Sequence, residues 1–525
     1  MSVSAPAWQR PDERRLVIFA RNLVTRYALI VINALIGLVV LPFNVRHLGA
    51  DDYGLWMLVA SVTTYFSVLE LGYGGAVVKY VAEFRAKKDA KALNEVLSTM
   101  FFVFSAIGVV VYLAAIAVSF LLPHIFNLAP SQVATGQTVL LIIAVNVTLH
   151  FVFSVYGGVI NGFEKYYINN VVGTTFNILV AAVNVAVLWM GYGLVELVTA
   201  TTIVRVMPYW VYRRNAHMVF PELSIRRAYF NRERLRDLTG FSVYLAVIDW
   251  ASKLTFMTDS FLLGIFTNTA VVGVYAVAQR LADALLRMTT QLHNFLFPAV
   301  VHQAVEGSVD GQRNLLIKAT RFQLAIAVGM CATVAAVADV LIRAWVGPDF
   351  HAAAYVLAVL SGTVVLRAWM GIPSTVLKGT GHHRYLAIAS SWCGVANLLL
   401  SIVLVKLFGM NGVAWGTAIP VAVLATYVFA RACQTVALPV LRGYREIVWP
   451  AFWPAAVVAG LLVMTRHAVP ANLLAVLADL AAGGLLYAAI FFLAALPRDE
   501  RLWFSNAINQ VTGFRILKPE VEGVR

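Results

Sequence analysis

The chain alternates long apolar runs with short polar breaks. A helix that crosses a bilayer needs about 20 mostly apolar residues. Runs of that length recur at roughly 28–45, 55–77, 98–122, 138–160, 171–190 and 194–212. A basic, polar stretch from Arg213 to Thr239 interrupts them. Six more runs follow at roughly 240–266, 271–300, 320–343, 354–377, 386–408 and 412–431, and two more at 450–465 and 472–496. The pattern predicts an all-α integral membrane protein with about 14 transmembrane helices. Gly191-Tyr192-Gly193, Thr267-Asn268-Thr269 and Gly409-Met410-Asn411-Gly412 read as tight turns. Such short connections make consecutive helices antiparallel neighbours.

Composition sharpens this picture. Of 525 residues, 60% are hydrophobic and 13% charged, about half the charged share of soluble domains. Water would not tolerate that much apolar surface, whereas lipid does. No polar stretch is long enough for a large extramembrane catalytic domain. The net charge of +14 would point a soluble chain toward nucleic acid. Here the cations sit in loops beside the spans, so no nucleic-acid partner is predicted. With the N-terminus placed in the cytoplasm, about 31 of the 40 Lys and Arg fall on the cytoplasmic side. Arg46, Arg343, Lys406 and Arg466 remain outside. This asymmetry predicts a multi-pass protein of the inner (plasma) membrane with both termini cytoplasmic. Met1 to Tyr27 is polar and Arg-rich, and the first apolar run reads as a retained signal-anchor helix. The basic segment Arg226 to Arg236 is expected to form a surface helix against anionic inner-leaflet lipid. Cys331, Cys393 and Cys433 fall in separate apolar runs and read as small core hydrophobes. Neither a disulfide framework nor a metal-ligand spacing is present, and no cofactor is predicted.

The chain also repeats itself. Leu48-Gly49 followed by Tyr53-Gly54 resembles Leu263-Gly264 followed by Val272-Gly273. Gly273 follows Gly54 by 219 positions, and Gly412 follows Gly193 by the same 219. Asn161-Gly162 resembles Lys378-Gly379, each followed by a basic, aromatic stretch; Asn184 and Asn397 occupy similar places in the fifth helix of each half. Six helices per half is an even number, so both halves enter from the same side. That predicts parallel repeats about an axis normal to the membrane, with the substrate path between two lobes. The expected organisation is a cytoplasmic N-terminal segment (1–27), a first lobe (28–212), a basic cytoplasmic linker (213–239), a second lobe (240–431), two further helices (432–496) and a cytoplasmic tail (497–525).

Ionisable residues inside the predicted spans carry the candidate chemistry. A charge at a helix centre costs about 2.5–3.5 kcal/mol on insertion scales, so it normally faces a partner or a wet cavity. The second helix carries Glu70, the seventh Asp249, Lys253 and Asp259, the eighth Arg280, Asp283 and Arg287, and the tenth Arg367. Arg280, Asp283, Arg287, Gln291 and Asn294 recur at spacings of three or four, forming one polar stripe on the eighth helix. Thr63, Ser67 and Glu70 form a weaker stripe on the second. Asp249 and Lys253 are four apart and pair on one face. Two readings stand beside each other: such groups tie helices together, or they line a lumen. Arg205, two turns from the cytoplasmic end of its helix, suits snorkelling to the headgroups, and Asp259 falls near an outer end. Candidate lumen residues are Arg280, Arg287, Asp283, Lys253, Asp249, Glu70 and Arg367. The surplus of positive charge at depth suits an anionic guest such as a pyrophosphate.

Pro42, Leu48-Gly49, Tyr53-Gly54, Leu71-Gly72 leading to Lys79 and Arg85, and Ala278-Gln279-Arg280 with Pro298 together resemble the Wzx-type polysaccharide flippases of the MOP (MATE-like) superfamily. The resemblance spans nearly the whole chain through short motifs. It implies two six-helix lobes in a V with two appended helices, and a transporter rather than an enzyme. The implied substrate is a polyprenyl-pyrophosphate-linked oligosaccharide, taken from the cytoplasmic leaflet and released outside by alternating access. Arg280 and Arg287 fit the implied cationic lumen by position. The implied setting is O-antigen or exopolysaccharide export, with membrane lipids around the protein and a polysaccharide polymerase and glycosyltransferases as partners. Two alternatives share the fold: a MATE-type cation-coupled antiporter, whose lumen should carry unpaired acids, and a lipid II flippase. A membrane saccharide polymerase or glycosyltransferase would need a large outer catalytic loop, which the sequence lacks.

Overall fold

A computed structural model describes residues 13–66, 73–236, 258–305, 309–466, 470 and 472–501. Among these, the ordered elements are all helical. They run α1 (Glu13–Phe66), α2 (Tyr73–Lys87), α3 (Ala90–Ile125), α4 (Pro130–Gly162), α5 (Tyr166–Trp189), α6 (Leu194–Val219), α7 (Asp259–Phe266), α8 (Thr269–Val305), α9 (Val309–Ala336), α10 (Ala338–Trp345), α11 (Ala353–Trp369), α12 (Gly371–Gly379), α13 (His383–Thr435), α14 (Trp449–Thr465) and α15 (Leu473–Ile490). Phe120 on α3, Trp189 on α5 and Leu485 on α15 are 69%, 81% and 72% exposed. Large apolar side chains turned outward on helix after helix fit acyl chains, not water. Among the described residues, ten helical runs are long and apolar enough to cross a membrane. α13 counts once in that number, yet its 53 residues have a helical contour length of about 80 Å, enough for two crossings of the hydrocarbon core.

Two of the predicted turns collapse to single residues. α1 runs through the expected first loop and breaks only at Gly49, whose φ of 74° is left-handed. α13 does the same at Gly409, with φ of 59°. Glycine carries that conformation without a Cβ penalty, so one residue reverses the chain's course. α1 also begins at Glu13 rather than near residue 28. α3 begins eight residues before the predicted run, because the Asp89 side chain caps it by accepting from Ala92 N at 2.9 Å. The predicted ninth helix divides at Val337 and the tenth at Met370.

The described helices pack into two compact units, Met1–Val277 with Leu398–Val413, and Ala278–Asn397 with Ala414–Arg525. In the first, α3, α4 and α6 form the centre, with α1, α2 and α5 against them. Gly158 and Gly162 of α4 admit Val77 and Val81 of α2 so closely that a Cβ would clash. In the second, α9 is the central helix, packed by α11, α14 and α15. A buried ion pair secures that centre: Arg321 Nη1 donates to Glu500 Oε2 at 2.7 Å, and Arg321 Nε to Glu446 O at 2.6 Å.

The first unit holds one very close backbone crossing, between α1 beyond Gly49 and the start of α8. A Cβ on Gly54 would lie 1.7 Å from Thr269 O, and one on Gly273 would lie 2.4 Å from Ala50 O. The two small-residue pairs, Ala50/Gly54 and Thr269/Gly273, have matching four-residue spacing, the pattern by which membrane helices approach most closely. Polar groups flank the crossing, with Thr269 and Gln132 buried and Asp51 and Asn127 exposed. Thr269 Oγ1 donates to Asp51 Oδ1 at 3.1 Å and accepts from Gln132 Nε2 at 3.1 Å. Asn127, between α3 and α4, donates from its backbone to Gly264 O at 3.0 Å and from Nδ2 to Thr267 O at 2.8 Å.

The basic segment after α6 is the expected helix only in its second half. Up to Asn231 it is a loop with one 3-10 turn, Arg227–Tyr229, whose backbone is bound by the side chains of α3, and residues 232–236 are helical. Asn94 donates to Glu222 O and accepts from Ser224 N, both at 2.9 Å. Ser98 Oγ accepts from Arg226 N at 3.2 Å, and Thr99 Oγ1 accepts from Asn231 N at 3.0 Å. Helix formation would spend those backbone groups internally; here buried hydroxyl and amide side chains take them instead.

Candidate functional site

The polar stripe predicted on the eighth helix lies on α8. Arg280, Asp283 and Arg287 succeed one another at spacings of three and four on an α-helical backbone, so they share one face. Arg280 and Arg287 are exposed and Asp283 is partly buried. Arg280 and Arg287 are two turns apart, about 10 Å along the axis. Arg367, in the last turn of α11, joins them: the Asp283 carboxylate interacts electrostatically with Arg287, Arg367 and Arg280. The Asp283 carboxylate thus lies within electrostatic range of three guanidiniums in the second unit. The sequence selected Arg367 as a lone charge in another span. The fold brings it within electrostatic range of Asp283 on the α8 stripe.

The remaining candidates divide differently. Glu70, Asp249 and Lys253 lie outside the described residues, as does Ser67. The side chains of Gln291 and Asn294 lie outside them as well. Thr63 is buried and donates to Ala60 O at 2.9 Å, a bond within its own helix. Asp259 begins α7 and is buried; the Tyr275 hydroxyl donates to it, and Tyr65 donates to the neighbouring Thr258 Oγ1 at 2.9 Å. This tyrosine–aspartate contact belongs to the first unit and was not legible in the sequence. Its partners lie on opposite sides of the α7–α8 turn, where no periodicity links them. Asn184 and Asn397 are both buried; Asn397 Nδ2 donates to Thr417 Oγ1 at 2.8 Å and to Gly416 O at 3.3 Å, tying the two arms of α13 together.

An arginine-rich stripe on a spanning helix can bind a dianionic group through charge-assisted, bidentate hydrogen bonds. Among the described residues, no group of three or more His, Cys, Asp or Glu is placed to hold a metal ion.

These features define a polytopic helical membrane protein with ionisable side chains on its spanning helices. The chain belongs to the polysaccharide biosynthesis protein family, whose model matches residues 19–302, more than half of its length. It is 22% identical over 432 residues to the probable flippase AglR of Haloferax volcanii, covering 79% of this chain and 84% of that one. It is 20% identical over 410 residues to the putative O-antigen transporter of Shigella flexneri, covering 77% and 96%. In fold it is similar to the lipid II flippase MurJ in an inward closed conformation, with a TM-score of 0.71 at 12% identity over 91% of this chain and 99% of that one. It is also similar to an inward-facing multidrug resistance MATE family transporter of the MOP superfamily, with a TM-score of 0.63 at 16% identity over 77% and 94%. The MATE-like, multi-span fold expected from the sequence is therefore borne out.

Proposed function

We propose that this protein flips a polyprenyl-pyrophosphate-linked oligosaccharide from the cytoplasmic to the outer leaflet of the inner membrane by alternating access. In this reading both termini are cytoplasmic, the protein forms no covalent intermediate, and a polysaccharide polymerase and glycosyltransferases act before and after it. The reading draws on family membership, on the flippase and transporter names of its relatives, and above all on one observation: Arg280, Arg287 and Arg367 gathered about Asp283. Guanidiniums at this depth suit the pyrophosphate, which accepts charge-assisted, bidentate hydrogen bonds. Glu70, Asp249 and Lys253 join the lumen in this reading. The deep charge leans basic, which disfavours a cation-coupled antiporter.

The test is transport by the purified protein in proteoliposomes loaded with a lipid-linked oligosaccharide, read as lectin access to the sugar. Each of Arg280→Ala and Arg287→Ala should slow translocation about tenfold or more, the value of one lost charge-assisted contact, with insertion unchanged. Unaltered rates in both variants would refute the assignment.

A further inference from the structure

The cytoplasmic end of the second unit carries another cationic feature, separate from the α8 cluster. From Phe350 to Arg445 the sequence contains no Asp or Glu. Within that run, α12 ends in the turn Thr380-Gly381-His382. Gly381 has a φ of 82°, a left-handed position that glycine supplies. Thr380 Oγ1 lies in hydrogen-bond contact with His382 Nδ1 at 3.1 Å, which orients the imidazole, and that ring stacks on Tyr385. From the last turns of α13, the Arg431 guanidinium lies 5.5 Å from the ring centres of both Tyr385 and Tyr427. Its Nη1 donates to Gln434 Oε1 at 3.3 Å and its Nε to the Tyr427 hydroxyl at 3.4 Å. His382, Tyr385, Arg431, Gln434 and Thr435, with Leu377 as the floor, line a cavity of about 260 Å³.

We propose that this cavity binds the phosphate group of an inner-leaflet lipid headgroup. Arg431 brings a full positive charge, and the groups that hold it among the described residues are neutral. Among the described residues no salt bridge to an acid holds it, so its charge is open to an anion from outside the chain. A guanidinium fixed between two tyrosines presents its donors in a preset plane, the geometry a phosphate accepts. His382 and Gln434 add further hydrogen-bonding groups around it. Tyr385 and Tyr427 are the amphipathic rings that settle at headgroup depth. The positive-inside distribution assigns this end to the cytoplasmic leaflet, where anionic lipid is concentrated. A merely snorkelling arginine would reach the headgroups too, but would line no cavity and hold no lipid in particular.

The experiment is native mass spectrometry of the full chain, delipidated in detergent and titrated with phosphatidylglycerol. The wild type should retain one phosphatidylglycerol, and Arg431→Gln should lower its retention about tenfold. Lys378→Gln, an exposed cation one turn away and outside the cavity, should behave as wild type. Should Arg431→Gln not purify as a folded monodisperse protein, His382→Ala and Gln434→Leu carry the same comparison. Equal retention by wild type and cavity variants overturns the proposal. So does tight binding of inorganic pyrophosphate with no lipid retained, which would assign the cavity to a soluble phosphate. This inference does not depend on the transport reading: loss of the lipid leaves the effects of Arg280 and Arg287 to be judged separately.

Discussion

Gly37 and Gly54 both belong to α1 and differ in what faces them. Nothing lies within 4 Å of a Cβ at Gly37, whereas one at Gly54 would be driven into the Thr269 carbonyl. Gly37→Ala should therefore be neutral or stabilising by up to about 1 kcal/mol, the helix preference of alanine over glycine. Gly54→Ala must push two backbones apart and should cost about 1–3 kcal/mol or more, read as a lower thermal unfolding temperature in detergent. Equal midpoints for the two variants would mean the crossing is looser than its geometry. Arg321 and Glu500 make a different residue-scale case, since both are buried and bonded. Removing only the acid, as in Glu500→Ala, strands a guanidinium and should cost about 3–5 kcal/mol. Arg321→Met with Glu500→Leu should recover most of that loss in the same measurement. At this scale the sequence exposed part of the site. Arg280, Asp283 and Arg287 announce themselves by spacing on one helix. Arg367 and Arg321 do not, because their partners come from distant segments and only packing brings them together.

At the scale of elements, α3 does two jobs. Its middle turns an apolar face to lipid, with Val109, Val110 and Leu113 each more than half exposed. Its first turns carry Asn94, Ser98 and Thr99, buried polar residues that bind the backbone of the segment after α6. Asn94→Ala with Ser98→Ala should release that backbone, and trypsin should then cut at Arg226, Arg227 or Arg232 markedly faster than in the wild type. An unchanged digestion rate would show that the side-chain bonds contribute nothing to holding the segment. The basic composition after α6 was legible, as was the helix at 232–236, but the loop before it was not. Charge says where a segment sits relative to lipid and nothing about which side chains will take its backbone groups. The breaks near Gly49 and Gly409 were legible as gaps between apolar runs, but not their narrowing to one left-handed glycine each, which hydropathy does not report.

For the molecule as a whole, the apolar periodicity and the loop charge were enough to give an all-helical, multi-span architecture, because the bilayer leaves backbone groups few other solutions. Orientation rests on the loop cations and has a direct check. Cys331, Cys393 and Cys433 are all buried, so the native chain is a quiet background for thiol labelling. A membrane-impermeant maleimide applied to intact cells should label Tyr192→Cys, on the exposed α5–α6 turn, and spare Glu164→Cys, on the exposed α4–α5 turn. The reverse labelling would invert the topology. The Gly54 crossing also bears on how such a chain arose. Ala50 and Gly54 meet Gly273 and Thr269 reciprocally, each position facing the repeat-equivalent of the other. Contacts of that kind are what two identical subunits make about a dyad. If the 219-position repeat expected from the sequence is a duplication, two separately expressed halves should still associate through this crossing.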